Sequence, residues 1–491
     1  MTARQPLAQP GYDAAALASR IARQWDDDIV AQLVEYVRLP AKSPHFDPRW
    51  REHGHIEAAI QLALAWVKRQ SVEGMRLEVI RLEGRTPVLF FDIAARGAGA
   101  SGKSVVLYGH LDKQPEMTGW RAGLGPWTPV IEQGRLYGRG GADDGYAVFA
   151  ALSAIAALDA EGVARPRCVG LIETCEESGS YDLPAYLDAL APRMGDVGLV
   201  IALDSGAGNY DQLWATTSLR GLVNGTLRVD ILTEGVHSGD AGGVVPSSFR
   251  IARALLDRLD DSRTGMVKPA DFACEVPADR LEEARQAAQI LGESLWQRFP
   301  WAGCCDDTSS ARLFAEPVAK DPVELILNRT WRAALAITGA DGLPPLESAG
   351  NVQRPYTSFK LSLRLPPLVE GERAAGALKK LLEDDPPYSA AVNFRADTSS
   401  TGWNAPSTAP WLAEALERAS GTLFGKPAAF MGEGGTIPFM SVLNAKFPAA
   451  QLLVTGVLGP KSNAHGPNEF IDIGYAKKVA AATAMVIAAM T

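Results

Sequence analysis

Five segments of this chain run apolar and then stop on a carboxylate or an imidazole, and no other feature constrains its fold as tightly. SVVLYGHLD (104–112) ends in His110 and Asp112, RCVGLIET (167–174) runs into Glu176 and Glu177, and VGLVIALDSG (197–206) delivers Asp204. LYGRGGADDG brings Asp143 and Asp144 to the start of a helical stretch, and the loop GPKSNAHGPNEF, after the apolar run 450–459, carries His465. Runs this short and this continuously apolar are the strands of a sheet covered on both faces. The stretches 55–70 and 144–162 have helical patterning, the second closing on a glycine as helices often do. Strand–helix alternation of this kind predicts an α/β layered sheet. Ligands gather at the carboxyl ends of such strands, so the acids and histidines are predicted to converge.

Beyond residue 212 the texture changes. LVNGTLRVDIL (222–232) and SFKLSLRLP (358–366) alternate apolar and polar residues, as strands with one wet face do, and a polar helix is expected over 277–299. The buried-strand pattern returns near residue 402, with a helix over 409–421, a strand within 450–459 and a terminal helix. At 491 residues the chain exceeds one ordinary core. The expected organisation is a catalytic domain formed by 1–212 and 402–491, interrupted by a smaller α+β domain over 213–401.

Composition narrows the partners. With 47% apolar and 21% charged residues the chain reads as a globular enzyme, and a net charge of −9 without a basic cluster argues against nucleic acid. YAKKVAAATAMVIAAM, near the C-terminus, is shorter than the ~20 residues a span needs and contains Lys477 and Lys478, so no membrane association is expected. The N-terminal stretch lacks the apolar segment of a secretory signal. Five cysteines, Cys168, Cys175, Cys274, Cys304 and Cys305, lack framework spacing and fit reduced thiols in a cytoplasmic protein. Cys175, although next to the acid pair, reads as a small buried apolar side chain.

Taken singly, each candidate has an ordinary explanation: an N-cap for Asp143–Asp144, a turn for Asp204, a surface histidine for His465. Taken together, Asp112, Asp143, Glu177 and Asp204 cannot all stay ionised in one cleft without cations. One divalent ion leaves surplus negative charge, whereas two, bridged by a carboxylate, balance it. Imidazole and carboxylate donors without thiolate suit zinc, with manganese or cobalt permissible. A GxSxG elbow and a phosphate-binding GxxxxGK[ST] loop are both missing from the sequence.

The segments GHLDKQPEMTGW, GRGGADDG, CEESGS, ALDS, GVHSGDAGG, EGGTIPF and NAHGPNE, in this order along the chain, resemble the dinuclear zinc metallopeptidases that include carnosinases, cytosolic dipeptidases, aminoacylases and carboxypeptidase G. SLRG after Asp204 and LSLRLPP bring the layout nearest to carnosinase-like dipeptidases. The resemblance implies a mixed-sheet catalytic domain interrupted by a lid that makes a homodimer. It implies that His110 and Asp204 hold one metal, Glu177 and His465 the other, and that Asp143 bridges them through a cis peptide with Asp144. Asp112 would orient His110, and Glu176 would be the general base acting on a metal-bridging water. His237, in GVHSG, would polarise the scissile carbonyl from a partner subunit. Arg364 would grip the substrate carboxylate, Asn351 would add a polar contact, Glu433 would hold the amino end, and Gly434 and Gly435 would line the pocket.

Two departures bear on the substrate. DDGYA lacks the lysine that many relatives carry after the acid pair, and AITGADG replaces a histidine-bearing loop, so β-alanyl-histidine is not assumed. The expected activity is metal-dependent hydrolysis of dipeptides or C-terminal amino acids. The alternative is an N-acyl-amino-acid amidohydrolase using the same two metals.

Overall fold

A computed structural model describes residues 11–70, 72–97, 102–302 and 315–490; Cys304 and Cys305 lie outside them. The chain divides into two compact units. The first comprises Met1–Thr216, Ala405–Phe430 and Val442–Thr491, the second Thr217–Asn404 and Met431–Ser441. The Met431–Ser441 stretch, expected with the catalytic part, groups instead with the inserted unit. Two arginines explain the correction. Arg220 donates from Nε to Gly434 O (3.1 Å) and from its amide to Gly435 O (3.1 Å), and Arg364 Nη1 donates to Thr436 Oγ1 (2.8 Å).

In the first unit the strands lie in the order Met75–Ile80, Val88–Ile93, Arg167–Glu173, Ser104–His110, Val197–Ala202 and Gln451–Val454. The last four are parallel and the first two antiparallel, so the sheet is mixed. Every residue of Ser104–His110 and of Val197–Ala202 is buried, which is why both read as unbroken apolar runs. Met75–Ile80 is half exposed and at the edge, so its weaker signal went unread. Register aligns the parallel strand ends: His110 lies opposite Glu173, Tyr108 opposite Ala202, and Ala202 opposite Val454.

Helices Ala147–Ala160 and Ile473–Ala489 pack together and are almost entirely buried. Among the described residues, one stretch, Gly141–Ala160, is long and apolar enough to cross a membrane by composition, and 94% of its most apolar window is buried inside this fold. The expected helix over 144–162 begins later than the sequence suggested because Gly141–Gly145 form a tight turn with non-helical backbone at Asp143 and Asp144. Gly109 lets that turn close on the sheet, since a Cβ there would lie 2.6 Å from Ala147 Cβ and 2.8 Å from Asp144 Oδ2. A small antiparallel sheet, unforeseen in the sequence, joins Val130–Glu132, Arg135–Tyr137 and Phe470–Asp472.

The second unit contains a four-stranded antiparallel sheet in the order Ala334–Asp341, Tyr356–Leu365, Gly221–Asp230, Ala391–Ser400. Gly221–Asp230 alternates strictly between buried and half-buried residues. Its inward side chains Val223, Leu227 and Val229 join Leu361 and Leu363 against Ile251 and Leu255 of Ser248–Leu259 and Leu378 and Leu382 of Gly371–Glu383. The α+β expectation for this block therefore holds, with one difference. The polar helix expected over 277–299 is broken into Ala278–Leu291 and Ser294–Gln297 by Gly292, whose φ of +50° ends the first piece.

Candidate metal centre

At the carboxyl rim of the first unit's sheet, two triads share one residue. His110, Asp143 and Asp204 bring a donor atom each within 4.8 Å of one another, and so do Asp143, Glu177 and His465. Asp143 turns one oxygen to each histidine: Oδ1 lies 3.3 Å from His110 Nε2, and Oδ2 lies 3.0 Å from His465 Nε2. Asp204 Oδ2 is 3.7 Å from His110 Nε2, and Glu177 Oε2 is 3.3 Å from His465 Nε2. The Asp143–Asp144 peptide is cis.

The tautomer of His110 follows from its neighbours. Nδ1 is 3.1 Å from the carbonyl oxygen of Asp112, which can only accept, so Nδ1 carries the proton. In the neutral ring that a metal ion needs, Nε2 then presents a lone pair to Asp143, Asp204 and Glu176, the last at 3.9 Å. The buried Oε1 of Glu177 lacks a hydrogen-bond partner. A lone pair facing three carboxylates is repulsive unless a cation or a proton stands between them. The residues present therefore fit a pair of divalent cations with nitrogen and carboxylate donors.

Charge tells the same story. Without cations, protons take their place. Burial, then Asp143, raises Asp204 to about 7 and Glu177 to about 8. Burial and the charge of Asp204 push Glu176 well above the carboxylate range. Burial opposes ionisation of Asp143 as well, but bonds to His110 and His465 pull it below its ordinary value. Desolvation works against a protonated His465, yet Glu177 and Asp143 lift it to about 10. Desolvation is the largest single effect on His110 and lowers it, yet Asp112, Asp143 and Asp204 together raise it well above its ordinary value.

Asp112 has a second set of contacts besides those with His110. Its backbone oxygen is the nearer acceptor to His110 Nδ1 (3.1 Å) and its carboxylate Oδ1 lies 3.5 Å from the same nitrogen, while the carboxylate also accepts from the amides of Glu176 (Oδ1, 3.1 Å) and Glu177 (Oδ2, 3.0 Å). The side chain thus pins the short turn Glu176–Ser178 that carries the acid pair. Gln114 Nε2 donates to Glu177 Oε2 (2.7 Å) and was not anticipated. Asp144 is buried and turned to the strand, accepting from the His110 amide at 3.3 Å. Cys175 is buried, donates to Glu173 Oε2 at 3.3 Å and has its thiol pushed up by burial.

The remaining candidates belong to the second unit. His237 ends the two-residue strand Val236–His237 and accepts the Gly239 amide at Nδ1 (3.1 Å), which is a capping contact. Asn351 is exposed and its carbonyl accepts from the Ser238 amide (2.9 Å). Glu433 closes the strand Ala429–Glu433. A Cβ at Gly434 would lie 3.0 Å from Arg329 O, whereas Gly435 has open space around it.

The chain is similar to known proteins over most of its length. The human Beta-Ala-His dipeptidase is 25% identical over 472 residues, covering 91% of this chain and 87% of that protein. The cysteinylglycine-S-conjugate dipeptidase of Corynebacterium striatum is 27% identical over 393 residues, covering 78% and 80%. The fold matches the crystal structure of human carnosine dipeptidase 1 with a TM-score of 0.75 at 21% identity, over 98% of this chain and 99% of that one. The family model described as peptidase family M20/M25/M40 matches residues 106–490, a span that holds every candidate site residue. The resemblance read from the motifs is thereby borne out: this chain is an enzyme of peptidase family M20/M25/M40.

Proposed function

We propose that this protein is a two-metal dipeptidase that hydrolyses the amide bond beside a free carboxylate. The observation that carries the proposal is Asp143, whose two carboxylate oxygens face two different imidazoles, His110 and His465. In this reading His110 and Asp204 hold one divalent ion, Glu177 and His465 the other, and Asp143 touches both. Zinc is the metal proposed, with manganese or cobalt as substitutes. Bound there, the ions supply an acidified water and polarise the scissile carbonyl.

Glu176 is the proposed general base. Its turn is fixed by Asp112, its carboxylate lies beside His110, and burial and the charge of Asp204 raise its affinity for a proton. It takes a proton from the attacking water as the C–O bond forms, then hands it to the amine as the C–N bond breaks. His237 of a partner subunit donates to the carbonyl oxygen, Arg364 pairs with the substrate carboxylate, and Glu433 holds the amino end, with Asn351, Gly434 and Gly435 lining the site. The names of the similar dipeptidases support this substrate class. The inserted unit is proposed as the dimerising lid. The free, buried thiols of Cys168 and Cys175 accord with the cytoplasm as its place of action.

A panel of free dipeptides, N-acetylated amino acids and N-carbamoyl amino acids, each assayed with zinc, manganese and cobalt, tests the proposal. Free dipeptides are expected to turn over. Turnover of the acylated compounds alone would establish the deacylase alternative instead.

A further inference from the structure

Arg139 and Glu469, 330 positions apart in sequence, form a buried ion pair beside the metal centre. Each side chain grips the segment from which the other comes. Arg139 lies four residues before Asp143, and its Nη2 donates to the carbonyls of His465 (3.0 Å) and Gly466 (2.9 Å). Glu469 lies four residues after His465, and its Oε1 accepts from the amide of Gly140 (2.8 Å). The amide of Gly138 also donates to Glu469 O (2.9 Å), and the small sheet continues the contact through Phe470 and Tyr137.

The loop held in this way has an uncommon backbone. Lys461, Asn463, His465 and Asn468 all have positive φ, +64° at His465. Side-chain-bearing residues leave that region unless the surroundings hold them there. His465 is itself half exposed and has no packing around it comparable to that of the fully buried His110. Its position therefore depends on its backbone, and Arg139 bonds to that backbone directly.

We propose that the Arg139–Glu469 clasp is a positioning device that sets His465 against Asp143, and with it the Glu177–His465 half of the metal centre. The clasp rests on the two-metal reading above. His110 and Asp204 are seated at strand ends, so the clasp governs one half of the centre and leaves the other alone.

Titration of the metal-free protein with Co(II), followed by calorimetry and visible absorption, tests this directly. Wild type is expected to bind two ions, and H465A fixes the signal for loss of that imidazole. E469Q keeps an acceptor for the Gly140 amide but loses the charge, and R139K keeps the charge but loses the two-carbonyl grip. Both are expected to weaken one binding event about 10–100-fold and leave the other unchanged. Two wild-type affinities in these variants, or equal weakening of both events, would overturn the clasp as a positioning device. Should E469Q fail to fold, R139M/E469L removes both charges together and leaves none buried alone. It is expected to show the same selective loss. A wild-type protein that binds one ion or none overturns the two-metal reading, and the clasp with it.

Discussion

Asp112 governs the acid pair from beneath, with one carboxylate oxygen on each of two successive amides. That arrangement turns Glu176 and Glu177 towards different histidines although they are neighbours. Glu177 turns to His465 and Gln114, whereas Glu176 turns to His110. Replacing Glu176 by Gln is expected to lower kcat about 10²–10⁴-fold while two metals stay bound, checked by steady-state rates and metal content on the same preparation. Undiminished turnover would remove Glu176 as the base. At this scale the sequence was informative about which side chains meet and silent about how they are supported. His110, Asp143, Glu177, Asp204 and His465 each ended or followed an apolar run. Arg139 and Glu469 lay inside the motifs too, but the bond between them spans 330 positions and leaves no local pattern.

The rim works because parallel strands end level with one another. Tyr108, Glu173, Cys175 and Ser180 form the layer beneath it. Glu173 Oε1 accepts from Tyr108 OH (2.5 Å) and Ser180 Oγ (2.9 Å), and burial raises the carboxyl to about 7. A folded chain that holds this proton while an unfolded one releases it near the ordinary 4.5 is most stable at low pH. That contribution falls as pH rises through 4.5 towards 7. Melting curves of metal-free protein between about pH 5 and pH 8 should show E173Q losing less stability than wild type, by about 3 kcal/mol at most. Identical slopes would mean that Glu173 is ionised in the fold. Strands such as Ser104–His110 were legible because both faces are buried. The small sheet of Val130–Glu132, Arg135–Tyr137 and Phe470–Asp472 was not, because three-residue strands carry no period.

For the whole molecule, the two-unit division followed from a change in strand texture, alternating in one unit and continuously apolar in the other. The segment Met431–Ser441 was misassigned because its membership depends on Arg220 and Arg364, not on its own pattern. If His237 acts across a dimer, E176Q and H237A are each inactive, yet mixing them after subunit exchange restores part of the activity. Mixtures as inactive as their components would confine His237 to its own chain or to its capping contact with Gly239. The central claim, that two divalent ions share Asp143, is tested most directly by anomalous diffraction at the zinc edge from crystals grown with zinc. The account predicts two peaks, one between His110 and Asp204, one between Glu177 and His465, with Asp143 touching both. A single peak, or peaks away from these residues, would contradict it.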